Sequence, residues 1–278
     1  MRYRRLVNEA ELLDALSDHG TAILSGGTDL LVKIRAGLAH PAALLDISRI
    51  PTLLGIRRAE DVIEIGSAVR LSSILASPIV KEHLPLLSTV LSSLGSAQIR
   101  HRGTLGGNLV NASPAADSAV PLLLYNAQLD LVGPRGERTL PLDQFLLGPG
   151  MTALDHGEFV RTIKVPLPPQ QYHPFYHKVG RRRALTIAIA SVGLLLHADT
   201  DHIVDIRIAA GSVAPTPIRL LSAEASLRGS ALTAKAITET ARRAIQSVSP
   251  ITDIRATAAY RQHVVGELIT RALQAINP

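Results

Sequence analysis

Two short stretches hold the residue types and spacing that could do chemistry. In ILSGGTDLLVKIRAG, residues 23–37, an apolar run stops at Gly26 and Gly27, and a helical pattern starts within one or two residues. In RGTLGGNLVNASPAADSAVPLLLYNAQLDLVG, from Arg102, a second pair, Gly106 and Gly107, sits between Thr104 and Asn108, and Ser113 and Asp117 follow one helix turn apart. A glycine pair permits φ values and backbone approaches that a Cβ forbids, and a helix start beside it offers unpaired N–H groups to an anion. A diphosphate is the obvious guest. One such loop alone favours the plainer reading of a tight strand-to-helix turn, whereas two phosphate-compatible loops in one chain suit a dinucleotide. Asp117 reads either as a first-turn carboxylate complementing a helix dipole or as a contact to a ribose or adenine. SGGTD matches neither G-x-G-x-x-G nor G-x-x-x-x-G-K-[ST], so neither a Rossmann site nor a P-loop is supported.

The elements that must position these loops follow from periodicity. Leu12, Leu13 and Leu16 predict a helix over residues 8–18, TAIL a strand before the first glycines, and ALLDI (43–47) another. DVIEIGSAVRLSSIL predicts a strand running into a helix capped near Ser72, and residues 78–94 read as helical. Ser113 and Pro114 form an N-cap and N1 pair, predicting a helix from there toward Tyr125. Strands are expected near 127–132 and 137–140 around the turn signal GPRGE, a mobile surface loop at 146–153, and a strand in EFVRTIKVP. Proline-rich PLPPQQYHP (166–174) reads as a linker. Beyond it lie expected strands near 174–180, 185–197 and 202–211, then helices near 217–228, 233–246 and 255–275, a β-meander packed by helices.

Composition narrows the function classes. The 278 residues are 46% hydrophobic, enough for real cores and too apolar for disorder. There is no cysteine, which excludes disulfides, thiolate metal sites, cysteine nucleophiles and any iron–sulfur cluster held by this chain. Redox chemistry would therefore need a bound organic cofactor. The ten histidines show no H-E-x-x-H or other metal-ligand spacing. A net charge of +6 raises nucleic acid as a partner, but the basic clusters are scattered, carry no helix-turn-helix or zinc-finger signature, and aromatics are only 3%. Solvated surface or a docking face fits them better. The Arg-rich, interrupted N-terminus has no signal-peptide core, and the longest apolar run, Ala184 to Ala198, is shorter than a membrane span of roughly 18 to 20 residues; a cytoplasmic protein is expected.

ILSGGTDLLVKIRAG and RGTLGGNLVNASPAADSAVPLLLYNA resemble the two FAD-binding signatures of the flavoprotein (medium) subunits of molybdenum hydroxylases, the xanthine dehydrogenase and carbon monoxide dehydrogenase family. The likeness continues in FYHKVGRRRALTIAIASVGL, AAGSVAPTPIRLLSAEASLRG and AAYRQHVVGELITRAL, so it spans nearly the whole chain in order. It implies an α+β chain with a vanillyl-alcohol-oxidase (PCMH)-type FAD-binding fold. That fold has two α/β subdomains, about 1–52 and 53–170 within an FAD-binding domain 1–170, followed by a C-terminal α+β domain, 171–278, with a three-stranded antiparallel sheet and helices. Carried over by position, Leu24, Ser25, Gly26, Gly27, Thr28, Asp29, Leu30 and Leu31 would wrap the pyrophosphate, and Thr104, Gly106, Gly107 and Asn108 would line the second phosphate-binding turn. Asp117 would reach the adenosine side, Lys178 would lie near the flavin end, and Phe159 and Val160 match less specific cofactor contacts. Many relatives have an acidic residue where this chain has Thr186, so no carboxylate role is carried over there.

The resemblance implies noncovalent FAD on an electron-transfer subunit with no catalytic side chain of its own. The molybdenum cofactor would sit on a large partner subunit and two [2Fe–2S] clusters on a small one, in a dimer of heterotrimers, with NAD⁺, O₂ or a quinone-linked carrier as acceptor. Two rival readings stand beside it. A self-contained FAD oxidoreductase of the same superfamily would need an added substrate lobe or a catalytic residue near the flavin. A non-redox binding module would purify colourless.

Overall fold

The computed structural model of the chain describes residues 1–168, 172–182, 186–199 and 202–276. They form two compact units, each built from separate stretches of sequence. The first comprises Met1–Leu84, Ser96–Ala112 and Asn126–Leu167, and the second Pro85–Gly95, Ser113–Tyr125 and Pro168–Pro278.

The first unit opens with a parallel sheet of β1 (Arg2–Arg5), β2 (Thr21–Leu24) and β3 (Ala43–Asp46) in the order β1-β3-β2. Arg5 and Leu24 both pair with Asp46, so all three strands end at one edge. Helix α1 (Glu9–Leu16) crosses between the first two strands. Its start is fixed by Asn8, whose side chain accepts the Glu11 N–H at 2.8 Å while the Glu11 carboxylate reaches back to Val7 N, a reciprocal cap. Leu12, Ala15 and Leu16 turn one face into a core shared with Leu6, Leu45, Ile47, Ile50, Leu53, Val132 and Phe159. Helix α2 (Leu30–Arg35) follows the first glycine pair and has no buried residue.

The five-stranded antiparallel sheet of this unit has the order β4-β5-β10-β6-β7, from β4 (Ile56–Ala59), β5 (Val62–Gly66), β6 (Gln128–Gly133), β7 (Gly136–Pro141) and β10 (Phe159–Pro166). Between β7 and β10 lie α9 (Leu142–Phe145) and a small hairpin of β8 (Leu146–Gly148) and β9 (Met151–Thr152). Helices α3 (Leu71–Ala76), α4 (Pro78–His83), α6 (Ala97–Arg102) and α7 (Leu105–Val110) complete the unit.

The second unit is a four-stranded antiparallel sheet, β11 (His173–Val179), β12 (Ala190–Ala198), β13 (Ile203–Gly211) and the two-residue β14 (Ile218–Arg219), in that order. Helices α5 (Pro85–Ser92) and α8 (Ala119–Leu124) join α10 (Leu221–Leu227), α11 (Ala234–Ser247) and α12 (Ala258–Ile276) around it. β12 is apolar without alternation because both its faces are covered. Val192, Leu194 and Leu196 pack into the cluster with Ile237, Ala241, Val265 and Ile269, while on the other face a Cβ on Gly193 would lie 2.7 Å from Val120 of α8. Among the described residues no helix is long and apolar enough to cross a membrane, and no group of His, Asp or Glu is placed to hold a metal.

Several expectations need correction. The helical stretch 78–94 breaks at Pro85 into α4 and α5, and α3 is preceded by Arg70 rather than capped near Ser72. Ser113 does not cap a helix: its hydroxyl accepts Ala115 N in a local turn, and α8 starts only after Ser118. The presumed loop 146–153 is the β8–β9 hairpin with Leu146 buried. The long strand expected from 185 begins at Ala190, with residue 185 outside the described residues, as are 169–171 of the expected linker. The C-terminal sheet has four strands rather than three, because Ile218 and Arg219 pair with β13.

Candidate functional site

Both glycine pairs lie in the first unit, and they meet. A Cβ on Gly26 would sit 2.3 Å from the Arg102 carbonyl oxygen and 2.8 Å from Gly103 Cα, so Gly26 is glycine to let the two backbones close on each other. Ser25 Oγ and Thr104 Oγ1 share a hydrogen bond of 2.8 Å, and Lys33 Nζ donates to Asn111 Oδ1 at 2.8 Å. Asn111 Nδ2 donates in turn to Asp29 Oδ1 at 3.3 Å. Leu24 to Leu31 and Thr104 to Asn108 therefore form one continuous structure at the carboxyl edge of the parallel sheet, where open α/β sheets take ligands.

Within it the four glycines have different reasons to be glycine. Gly27 adopts φ +74°, the left-handed region, which turns the chain from β2 into α2. The second pair is not a loop but the first turn of α7: Thr104 caps it, its hydroxyl accepting Gly107 N at 3.1 Å. Gly106 is buried, and a Cβ there would meet Ser67 O and Cβ at 2.6 Å. Gly107 is exposed, and its Cβ would meet only Thr104 Oγ1 closer than 3 Å. Asn108 is half-exposed beside it. Among the described residues, the N–H groups of Gly26, Gly27, Thr28 and Asp29 meet no acceptor, in a turn that is half-exposed. Such a run of free N–H groups suits an anion. Ser67, absent from sequence reasoning, has a buried hydroxyl without a partner among the described residues; no spacing rule in the sequence singles it out.

Asp117 and Lys178 lie in the second unit and are joined. Lys178 Nζ donates to Asp117 Oδ2 at 2.6 Å with both side chains 9% exposed, and also to Ser93 O at 3.1 Å. Tyr176 OH donates to Asp117 Oδ1 at 3.2 Å. Burial pushes the Asp117 carboxyl up; the Lys178 charge and the Tyr176 hydroxyl pull against it without restoring the ordinary value. Asp117 and Lys178, expected on the adenosine side and near the flavin end of one cofactor, are joined by a 2.6 Å ion pair. Tyr176 was missed, though its two-residue spacing from Lys178 on β11 puts both on one face of the strand.

Phe159 and Val160 are 2% and 4% exposed at the start of β10, and the Phe159 ring belongs to the core with Leu12 and Leu45. Their side chains are committed to packing, leaving the main chain for any cofactor contact. Thr186 packs on Gly180, where a Cβ would lie 2.1 Å from its Cγ2.

Comparison with known proteins gives this geometry its context. Residues 1–168 match the family described as the FAD binding domain in molybdopterin dehydrogenase, and residues 175–276 match the CO dehydrogenase flavoprotein C-terminal domain. The chain is 34% identical over 269 residues to the carbon monoxide dehydrogenase medium chain of Hydrogenophaga pseudoflava, covering 97% of this chain and 93% of the relative. It is 32% identical over 274 residues to the xanthine dehydrogenase FAD-binding subunit of Escherichia coli O157:H7, covering 98% and 94%. Among solved structures, a chain of the H. pseudoflava carbon monoxide dehydrogenase lacking the Mo-pyranopterin moiety superposes with a TM-score of 0.95 at 34% identity, over 99% of this chain and 96% of that one. With both of its regions matched and its glycine pairs assembled into one turn, the chain belongs to the FAD-binding subunits of the molybdenum hydroxylase family, a group of flavin-dependent oxidoreductase subunits.

Proposed function

We propose that the glycine-pair turn holds the FAD pyrophosphate and that the chain is the electron exit of a molybdenum hydroxylase. The observation that carries the reading is the half-exposed turn from Leu24 to Leu31, with the N–H groups of Gly26 to Asp29 unpartnered among the described residues, beside the exposed Gly107. The residues fit an extended anion: Gly26 brings the loops together, Gly27 turns the chain, and the unpartnered N–H groups of Gly26 to Asp29 would bind phosphate oxygens without ionised side chains. Thr104, through its cap, fixes the orientation of the Gly106–Asn108 turn. Phe159 and Val160 contribute through their main chain. Asp117 and Lys178, in the second unit, form one buried polar pair, its carboxylate held in place by Tyr176.

Bound FAD supplies two-electron chemistry, which no side chain of this chain provides. The protein's own work is binding, orientation and exclusion of water. With no cysteine to attach a flavin and no histidine in either glycine turn, the FAD is held noncovalently. With no cysteine the chain itself holds no iron–sulfur cluster; the [2Fe–2S] clusters would lie on a small partner subunit and the molybdenum cofactor on a large one, as the family resemblance implies. Electrons would arrive from the clusters and leave to NAD⁺, O₂ or a quinone-linked carrier, in a dimer of heterotrimers. The words "medium chain" and "subunit" in the names of its relatives support such a complex.

The test is reconstitution. The isolated chain with FAD should oxidise no substrate, and addition of the large and small partners should restore turnover. Substrate-dependent bleaching of the flavin by the chain alone, with no molybdenum present, would overturn the electron-exit role.

A further inference from the structure

The first unit contains a second opening. A cleft of about 490 Å³ is lined by Arg5, Ser48, Arg49, Pro51, Leu54 and Arg70. Arg5 ends β1 and Ser48 and Arg49 follow β3, so two of its walls lie at the same carboxyl edge of the parallel sheet as the glycine turn. The third wall is Arg70, whose backbone forms a bridge with Thr104.

Three arginines line this cleft, and one carboxylate, Asp46, answers them. Arg5 Nε donates to Asp46 Oδ2 at 3.2 Å, and the same carboxylate is bound by Tyr3 OH and Ser48 N. The side chains of Arg49 and Arg70 make no hydrogen bond or ion pair among the described residues. Three cations against one anion leave an excess of two positive charges around one cavity. Like charges held together are unfavourable unless an anion offsets them, and a concave basic wall concentrates anions. Ser48 adds a hydroxyl and Pro51 and Leu54 an apolar patch. Guanidiniums pair with phosphate oxygens through parallel N–H bonds.

We propose that this cleft binds a nucleotide other than the FAD itself, its phosphates on Arg49, Arg70 and Arg5 and its base against Pro51 and Leu54. The site does not depend on the glycine turn holding FAD, and the test separates the two.

The probe is ADP, titrated calorimetrically into the full chain saturated with FAD, with adenosine as the uncharged comparison. ADP should bind saturably and adenosine at least tenfold more weakly. Arg49→Gln and Arg70→Gln should each weaken ADP at least tenfold, leave FAD affinity within twofold of the unchanged chain, and keep its melting temperature, since neither side chain makes a bond that the fold needs. Arg58→Gln, outside the cleft, should bind ADP normally. Absence of ADP binding, equal binding of adenosine, or binding indifferent to both cleft variants would overturn the proposal. ADP binding that FAD displaces would also overturn it, since the cleft would then be part of the cofactor's own site. Failure of the flavin reading appears separately as failure to take up FAD, and the cleft variants then decide the ADP site on the flavin-free chain.

Discussion

Gly107→Ala separates a glycine that faces a ligand from one that only shapes the fold. Its Cβ would lie 2.8 Å from Thr104 Oγ1 and 3.9 Å from Ser25 Cβ, with no backbone atom from outside its own helix within 4 Å. Displacing the Thr104 hydroxyl costs a helix cap, about 1 kcal/mol. Replacing glycine by alanine inside α7 returns about 1 kcal/mol of helix propensity. The two nearly cancel, so the flavin-free protein should keep its urea midpoint to within the equivalent of about 1 kcal/mol. If Gly107 lies against the pyrophosphate, the added methyl overpacks that contact by about 1 to 3 kcal/mol, which corresponds to FAD binding about 5- to 150-fold weaker. Gly106→Ala is the opposite case. Its Cβ meets the Ser67 carbonyl oxygen at 2.6 Å, and backbone cannot rotate away. That variant should lower the midpoint of the flavin-free protein. The assay pairs urea unfolding of flavin-free protein with fluorescence titration by FAD. Gly107→Ala that binds FAD like the unchanged chain, or that loses apoprotein stability as Gly106→Ala does, would refute the assignment.

Other outcomes follow from the remaining geometry. Lys178→Met strips Asp117 of its charge partner in a site 9% exposed, and losing one member of a buried pair costs about 3 to 5 kcal/mol; adding Asp117→Asn should recover most of it in urea unfolding, and a single-variant loss below about 1 kcal/mol would contradict the buried pair. Asp46 is raised by burial but lowered more by hydrogen bonds from Tyr3, Ser48 and Arg5, leaving it at about 2 against the usual 3.8. A depressed carboxyl stabilises the fold above its unfolded pKa and loses that contribution as pH falls. Asp46→Asn should therefore be less stable by about 2 kcal/mol above pH ~4, with the gap closing toward pH ~2; a gap constant with pH would contradict this. Asn111→Ala cuts the exposed ties to Lys33 and Asp29. It should change stability by less than about 1 kcal/mol yet weaken FAD binding, measured by the same fluorescence titration.

Much of this architecture was legible because local pattern and tertiary demand agree. TAIL and ALLDI became β2 and β3 since short apolar runs stopped by turn residues have few other uses. β1 was missed: RYRR has no apolar alternation, all four residues are exposed, and only parallel pairing with β3 makes it a strand. The second glycine pair reads as a loop because glycine is a poor helix former, but the Thr104 cap and the close seat of Gly106 on Ser67 outweigh that preference. The candidate site is legible in its parts and not in their assembly. Both glycine pairs were identified, but their contact through Gly26 and Arg102, like the union of Asp117 with Lys178, joins residues distant in sequence that no local spacing predicts. The arginine cleft is assembled the same way, from strand ends and a bridge rather than from a basic run.

The most direct test is the flavin content of the purified chain. The purified protein should be yellow and carry one FAD per chain, released into the supernatant by acid precipitation and restored to the flavin-free protein by added FAD. A colourless protein that takes up no FAD would contradict it, and flavin that stays with the denatured polypeptide would contradict noncovalent binding.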